Sequence, residues 1–281
     1  MSWRKLLLVS AVRALPWAAN LINSRHYHHV TDDELRATRK TDTLFIFGSG
    51  FSVNSISEDE WRSFEQCDTL SFGWFVHQNL VRIDYHLIRE VVANDIDPRI
   101  WWPGVHEYAR RINGNPHYAN TVLLIQGGWN AINGNRLVGL RLLPKSSPIF
   151  RYRNRSRSRT YQPPSSSFSE GLVHGSATLT DCINFAYVLG WKEIVLVGVD
   201  LYDRRYFWLD YDETRIEDHR RLSSHQDSHN TAKGIVPFLG RWREFLFDQG
   251  TELYVYNPKS LLAATVPVYP RARMGENSVG T

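Results

Sequence analysis

The chain is short of cysteine and of unbroken apolar runs, and each shortage closes off a class of protein. Its 281 residues include only two cysteines, Cys67 and Cys182, each in an apolar neighbourhood. So few cannot build a disulfide framework, and a reducing compartment such as the cytoplasm fits them. A membrane-spanning helix needs about 20 consecutive apolar residues, and a secretory leader needs a small-residue cleavage site after an unbroken apolar core. Residues 6–22 meet neither condition cleanly, because Arg13 interrupts them. No internal repeat is visible. Excess charge is also scarce outside one segment: the net +4 is concentrated in residues 151–159, Arg-Tyr-Arg-Asn-Arg-Ser-Arg-Ser-Arg. The basic balance belongs to that run and gives no ground for a nucleic-acid partner.

What is present suffices for a packed core, since 42% of the residues are hydrophobic and 13% aromatic. Residues 1–22 read as an amphipathic helix with early cations, Arg4 and Lys5, and tryptophans at positions 3 and 17. Two readings of it stay open. It lies on an anionic membrane surface, making the protein peripheral on the inner membrane face, or it packs on its own domain or on a second subunit of a homo-oligomer. Residues 23–40 form a connector in which Thr31-Asp32-Asp33-Glu34 starts a helix.

A single α/β domain is expected over residues 41–269, with a tail at 270–281. Strands are expected at 43–47, 68–72, 85–88, 121–125, 194–197 and 252–256. Helices are expected from Ser57, over 104–112, from about 175 to a Gly190 cap, and over 231–249. Residues 127–135 read as loop, 145–169 as a mobile loop or lid, and 202–229 as a polar, aromatic-rich insertion. The alternation predicts an α/β fold: a mostly parallel, Rossmann-like sheet with helices on both faces.

Two strand ends carry the chemistry. Gly48-Ser49-Gly50-Phe51-Ser52 follows the first strand, and Gly198-Val199-Asp200-Leu201-Tyr202 follows the strand at 194–197. Open α/β sheets bind ligands at such carboxyl ends, and glycine lets a backbone approach a phosphate or ribose. The dinucleotide fingerprint is incomplete, with Val53 where its third glycine belongs, so a nicotinamide-dependent oxidoreductase is disfavoured. Gly175-Ser176-Ala177-Thr178 opens a helix whose free N–H groups suit an anion, with Ser176 or Thr178 as cap. Tyr202 is placed to donate to a leaving phosphate. His225 and His229 flank Asp227 in a polar segment before a helix, where either histidine can act as general base. The glutamate of a His-Glu-x-x-His zinc site is absent there, so no metal is expected. The arginine run reads equally as a mobile, phosphate-seeking loop beside the site or as a contact for RNA or anionic lipid, though it lacks the interleaved aromatics of a single-strand binding surface apart from Tyr152 and Tyr161.

These segments, together with Asn257-Pro258-Lys259-Ser260-Leu261-Leu262, resemble the bacterial sialyltransferases of the Campylobacter type. The resemblance covers about two thirds of the chain and implies a nucleotide-binding α/β domain with a mobile lid. It also implies an inverting, metal-independent transfer of a sugar from a nucleotide donor, such as a CMP-linked one, to a glycan or lipid-linked acceptor. No cofactor beyond the donor is implied. Donor contacts would fall to Gly48, Ser49, Gly50, Ser52, Arg89, Gly175, Ser176, Thr178, Asp200, Asn257 and Ser260, and catalysis to Tyr202 and the His225–Asp227–His229 segment. The family's base position is Asp227 here, its Asn-Gln pair after the second strand is Gly73-Trp74, and its asparagine after the third strand is matched by Arg89-Glu90. A different activated sugar or phosphate compound fits those changes. A diphosphokinase of the related archaeal pterin type and a non-catalytic, membrane-associated anion-binding module stand as alternatives.

Overall fold

Runs of four or five apolar residues are too short for helices and, buried on both faces, form strands of a parallel sheet. A computed structural model describes residues 3–89, 91–92, 97–155, 161–175, 177–202, 205–209 and 228–271, with only the main-chain course for 3–12 and 228–233. The strands are β1 (Thr43–Phe47), β2 (Asp68–Phe72), β3 (Tyr85–Ile88), β4 (Val122–Gln126), β5 (Ile149–Tyr152), β6 (Glu193–Val197) and β7 (Glu252–Val255). They form one seven-stranded sheet in the order β5-β4-β3-β2-β1-β6-β7, with every pair parallel. The winding therefore starts at β1, runs outward to β5, and jumps back to β6 on the other side of β1. That jump makes the β1/β6 boundary the topological switch point.

Helices cover both faces. The helices α3 (Glu58–Phe64), α4 (Pro98–Gly114) and α5 (Ile132–Gly139) send Trp61, Phe64, Val105, Tyr108, Ile112, Leu137 and Val138 into one core. On the other face lie α2 (Asp32–Ala37), α6 (Thr178–Leu189) and α7 (Ser228–Asp248), which contribute Leu35, Ile183, Phe185, Ile235, Leu239 and Trp242. The start and stop signals work as their chemistry dictates. Thr31 and Ser57 each form a reciprocal capping box with a glutamate three residues on. Gly190 ends α6 in the left-handed region, at φ 87°.

Three expectations are corrected. Residues 132–135, within the expected loop, belong to helix α5: Asn133-Gly134-Asn135 is a poor helix former, but all eight residues of α5 are buried, and packing overrides propensity. Gly134 is needed there, since a Cβ would stand 2.6 Å from the Ile125 side chain. Within the expected mobile loop, residues 149–152 form β5. The Arg151 in its middle disguised a strand whose outer edge is closed by the connector, with Val30 N–H donating to Ile149 O at 2.9 Å and Ile149 N–H to His28 O at 2.8 Å. The N-cap of α6 is Ala177, with no side-chain cap: Thr178 is already helical, and Ser176 lies outside the described residues.

The N-terminal helix, α1 (Trp3–Asn23), packs against α5. Gly139 admits it, because a Cβ would stand 2.9 Å from that of Ala19. Asn23 Nδ2 donates to Gly139 O at 2.6 Å and Arg141 Nε to Asn23 Oδ1 at 2.9 Å. Arg151 donates to the buried Asn20, and burial pushes its guanidinium down to about 10. One member of the arginine run is thus a strut between sheet and helix. Arg153 and Arg155 are pinned through their main chains to Leu172, and residues 156–160 lie outside the described set.

Candidate active site at the carboxyl edge

The two strand-end loops singled out in the sequence meet at the switch point. Gly48 N–H donates to Val197 O and Gly50 N–H to Gly198 O, both at 2.8 Å. This approach requires glycine. A Cβ on Gly48 would stand 2.7 Å from Gly198 O, one on Gly50 2.5 Å from the Asp200 carboxylate, and one on Gly198, at φ 66°, 2.6 Å from Gly48 O. The glycines serve loop-against-loop packing, which places both strand ends side by side.

Asp200, almost fully buried, joins three loops. Its carboxylate accepts from Ser52 N–H at 2.9 Å, from the Ser52 hydroxyl, and from Asn257 Nδ2 at 2.9 Å. Ser260 Oγ donates to Val199 O at 2.6 Å, and Leu261 N–H to Asp200 O at 3.2 Å. Ser52, Asp200, Asn257 and Ser260 are therefore brought together, and their polar atoms are largely engaged with one another. Tyr202 remains open, 45% exposed, with its hydroxyl 3.3 Å from Asn257 Nδ2. Leu201 before it holds a left-handed φ of 63°, which turns the chain at the strand end.

Residues 205–209 lie across the glycine loop. Phe207 N–H donates to Ser49 O at 3.3 Å, Asn54 Nδ2 donates to Phe207 O at 3.1 Å, and Gly50 bridges Tyr206. Arg205 stacks its guanidinium 3.9 Å over the Phe51 ring. Trp208 is sandwiched between His77 and Tyr206, with both ring centroids 4.6 Å away. The start of the insertion is thus an aromatic cover on the glycine loop. His225 and Asp227 lie outside the described residues, and of His229 only its place in the first turn of α7 is described.

A second cluster along the same edge was not anticipated. Asp181, in the first turn of α6, is fully buried and gathers side chains from three other segments. Arg89, directly after β3, pairs with it at 3.2 Å; Asn154, after β5, donates to it; and His174 Nδ1 stands 2.6 Å away. Arg89 and Gly175 of the expected donor set belong to this cluster rather than to the switch-point loops. Gly175 N–H donates to Thr180 Oγ1 at 2.8 Å, and a Cβ on Gly175 would stand 2.9 Å from the Phe238 ring of α7. Cys182 is no nucleophile: burial, reinforced by the Asp181 charge, pushes its thiol far up. The sequence signal for the cluster was faint, an Asp in the first turn of a helix and a His just before it.

His86 is the contrasting histidine. Paired in register with Ser71, it is fully enclosed, with Nδ1 2.7 Å from Ser71 Oγ and Nε2 2.6 Å from Tyr108 Oη. Tyr108 donates onward to Gly73 O at 3.1 Å. Burial holds its imidazole neutral, with a pKa of about 3. Among the described residues no cluster of three His, Cys, Asp or Glu side chains could hold a metal, and no helix is long and apolar enough to cross a membrane. Fold and site together define a doubly wound α/β protein with a polar cluster of strand-end loops at its switch point. No protein-family model matches the chain, and no curated protein is significantly similar to it.

Proposed function

We propose that the protein is an inverting glycosyltransferase that moves a sugar from a nucleotide-activated donor to a hydroxyl of a glycan or lipid-linked acceptor. The observation that carries this reading is the meeting of Gly48–Ser52 and Gly198–Tyr202 at the one place where the sheet reverses its winding. Nucleotides bind open α/β sheets at that point. Tyr202, 45% exposed, donates to the departing phosphate, and a histidine takes the acceptor proton, His225 and His229 being the candidates by sequence.

The acceptor would be met at the inner membrane face. Leu15, Leu21 and Ile22 stand 73%, 57% and 61% exposed on α1, beside an edge-on Trp17–Trp129 pair at 5.5 Å. Arg25, Arg141 and Lys145 surround His26 and make the neighbourhood cationic. Full-length protein is expected to sediment with anionic vesicles and to lose that binding when residues 1–22 are deleted.

The test of the chemistry is nucleotide release from a panel of CMP, UDP and GDP sugars in the presence of glycolipid acceptors. Release from at least one donor is expected, and Tyr202→Phe should lower kcat about tenfold or more. Refusal of every sugar donor together with ATP consumption would sink the transferase reading in favour of the diphosphokinase.

A further inference from the structure

We infer that His174, oriented by Asp181, is the proton acceptor of this reaction, an assignment that rests on the transferase reading above. The argument begins with the carboxylate. Asp181 is 0% exposed, so its charge must be met by fixed partners. Arg89 supplies the opposite charge, its Nη1 lying 3.3 and 3.2 Å from the two oxygens, and Asn154 donates a further hydrogen bond. With those two partners the carboxylate is already neutralised and held. His174 adds a third donor at 2.6 Å from a side chain that is itself 5% exposed.

The geometry sets the tautomer. An ionised carboxylate only accepts, so Nδ1 carries the hydrogen and the lone pair of the neutral ring sits on Nε2. That Nε2 has no hydrogen-bond partner among the described residues. His86, by contrast, has both ring nitrogens engaged. His174 has one nitrogen fixed and the other without a partner among the described residues, the arrangement of a base held by an orienting acid.

Its position suits the task. Arg89 leaves β3 at the carboxyl edge, two strands from β1. Strands lie about 4.8 Å apart, so the cluster stands roughly 10 Å along the edge from the glycine loop, within reach of a donor seated at the switch point. In the transfer, the acceptor oxygen bonds to the anomeric carbon as its proton passes to Nε2. The bond from that carbon to the donor phosphate oxygen breaks, and the nucleotide leaves with the electron pair. Asp181 stabilises the imidazolium until the proton is lost to water.

The test compares full-length His174→Ala, Asp181→Asn and the double variant His225→Ala/His229→Ala on a donor the wild type accepts. His174→Ala should lower kcat about 10²–10⁴-fold while the donor KM stays within about threefold. It should also erase the acidic limb of the kcat–pH profile and recover activity with added imidazole. Asp181→Asn should lose about 10²-fold or more, because an amide can turn the ring to the other tautomer. Retention of kcat within about threefold in His174→Ala, or a loss of similar size confined to the double variant, overturns the assignment.

A second measurement needs neither turnover nor a variant that folds. Diethyl pyrocarbonate should carbethoxylate His174 in the wild type, read by peptide mass, with His86 as the unreactive internal standard. If His174 labels no faster than His86, the free Nε2 is refuted. Labelling at His174 without nucleotide release from any donor keeps the base and overturns the sugar-transfer reading instead.

Discussion

Asp68 and Asp181 are both fully buried carboxylates, placed at opposite edges of one sheet, and they are neutralised in opposite ways. Asp68 opens β2 at the amino edge. It accepts from Lys40 N–H and Thr41 N–H at 3.0 Å and from the Trp191 indole at 2.9 Å, which ties together the approaches to β1, β2 and β6. None of these donors can lose or gain a proton near neutral pH. Asp181 instead faces Arg89 and His174, a permanent cation and a titratable ring. The amino edge is built to be fixed, whereas the carboxyl edge carries a group whose charge can change. The proposed proton transfer needs that difference, because it requires a partner with two accessible charge states.

The contrast can be broken from several sides. The largest effect is expected from Arg89→Ala, which leaves Asp181 as a buried charge without its cation. Such a loss costs about 3–5 kcal/mol, read from urea unfolding, and adding Asp181→Asn should recover part of it. Asp68→Asn sets an amide against N–H donors and should cost about 1–3 kcal/mol. Its activity per folded molecule should stay within about twofold, since no proton moves at that edge.

A further effect is graded by pH, small near neutrality, and isolates the buried neutral histidine. His86 has its folded pKa depressed by burial to about 3, against about 6.5 in the unfolded chain. Below about 6.5 the unfolded state binds the extra proton, so the stability His86 contributes is whole above that pH and lost as pH falls toward 3. The slope is about 1.4 kcal/mol per pH unit from this group. Urea midpoints measured between pH 7 and 4 should show this component, and His86→Leu should remove it.

Much of the frame was legible locally. The strands at Thr43–Phe47, Asp68–Phe72 and Tyr85–Ile88 stand where apolar runs end in turn residues. The boxes at Thr31 and Ser57 and the glycine stop at Gly190 needed only neighbouring residues. The switch-point site was half legible, because glycines and an Asp at strand ends announce a crowded loop. That the Asp200 carboxylate would be taken up by Ser52 and Asn257 was not readable. Likewise β5 hid behind Arg151, whose guanidinium finds its place only against Asn20 of the N-terminal helix.

By itself the sequence determined most of the strands, the caps at Thr31, Ser57 and Gly190 and the parallel α/β class, because backbone preference and apolar period act over a few residues. The tertiary structure alone decided strand order, and with it which ends became neighbours. It also decided that Arg89 would meet an aspartate 92 positions later and that one ring nitrogen of His174 would have no partner among the described residues. An ion pair or an oriented ring is a property of segments brought together by burial, and no local pattern encodes a partner that distant.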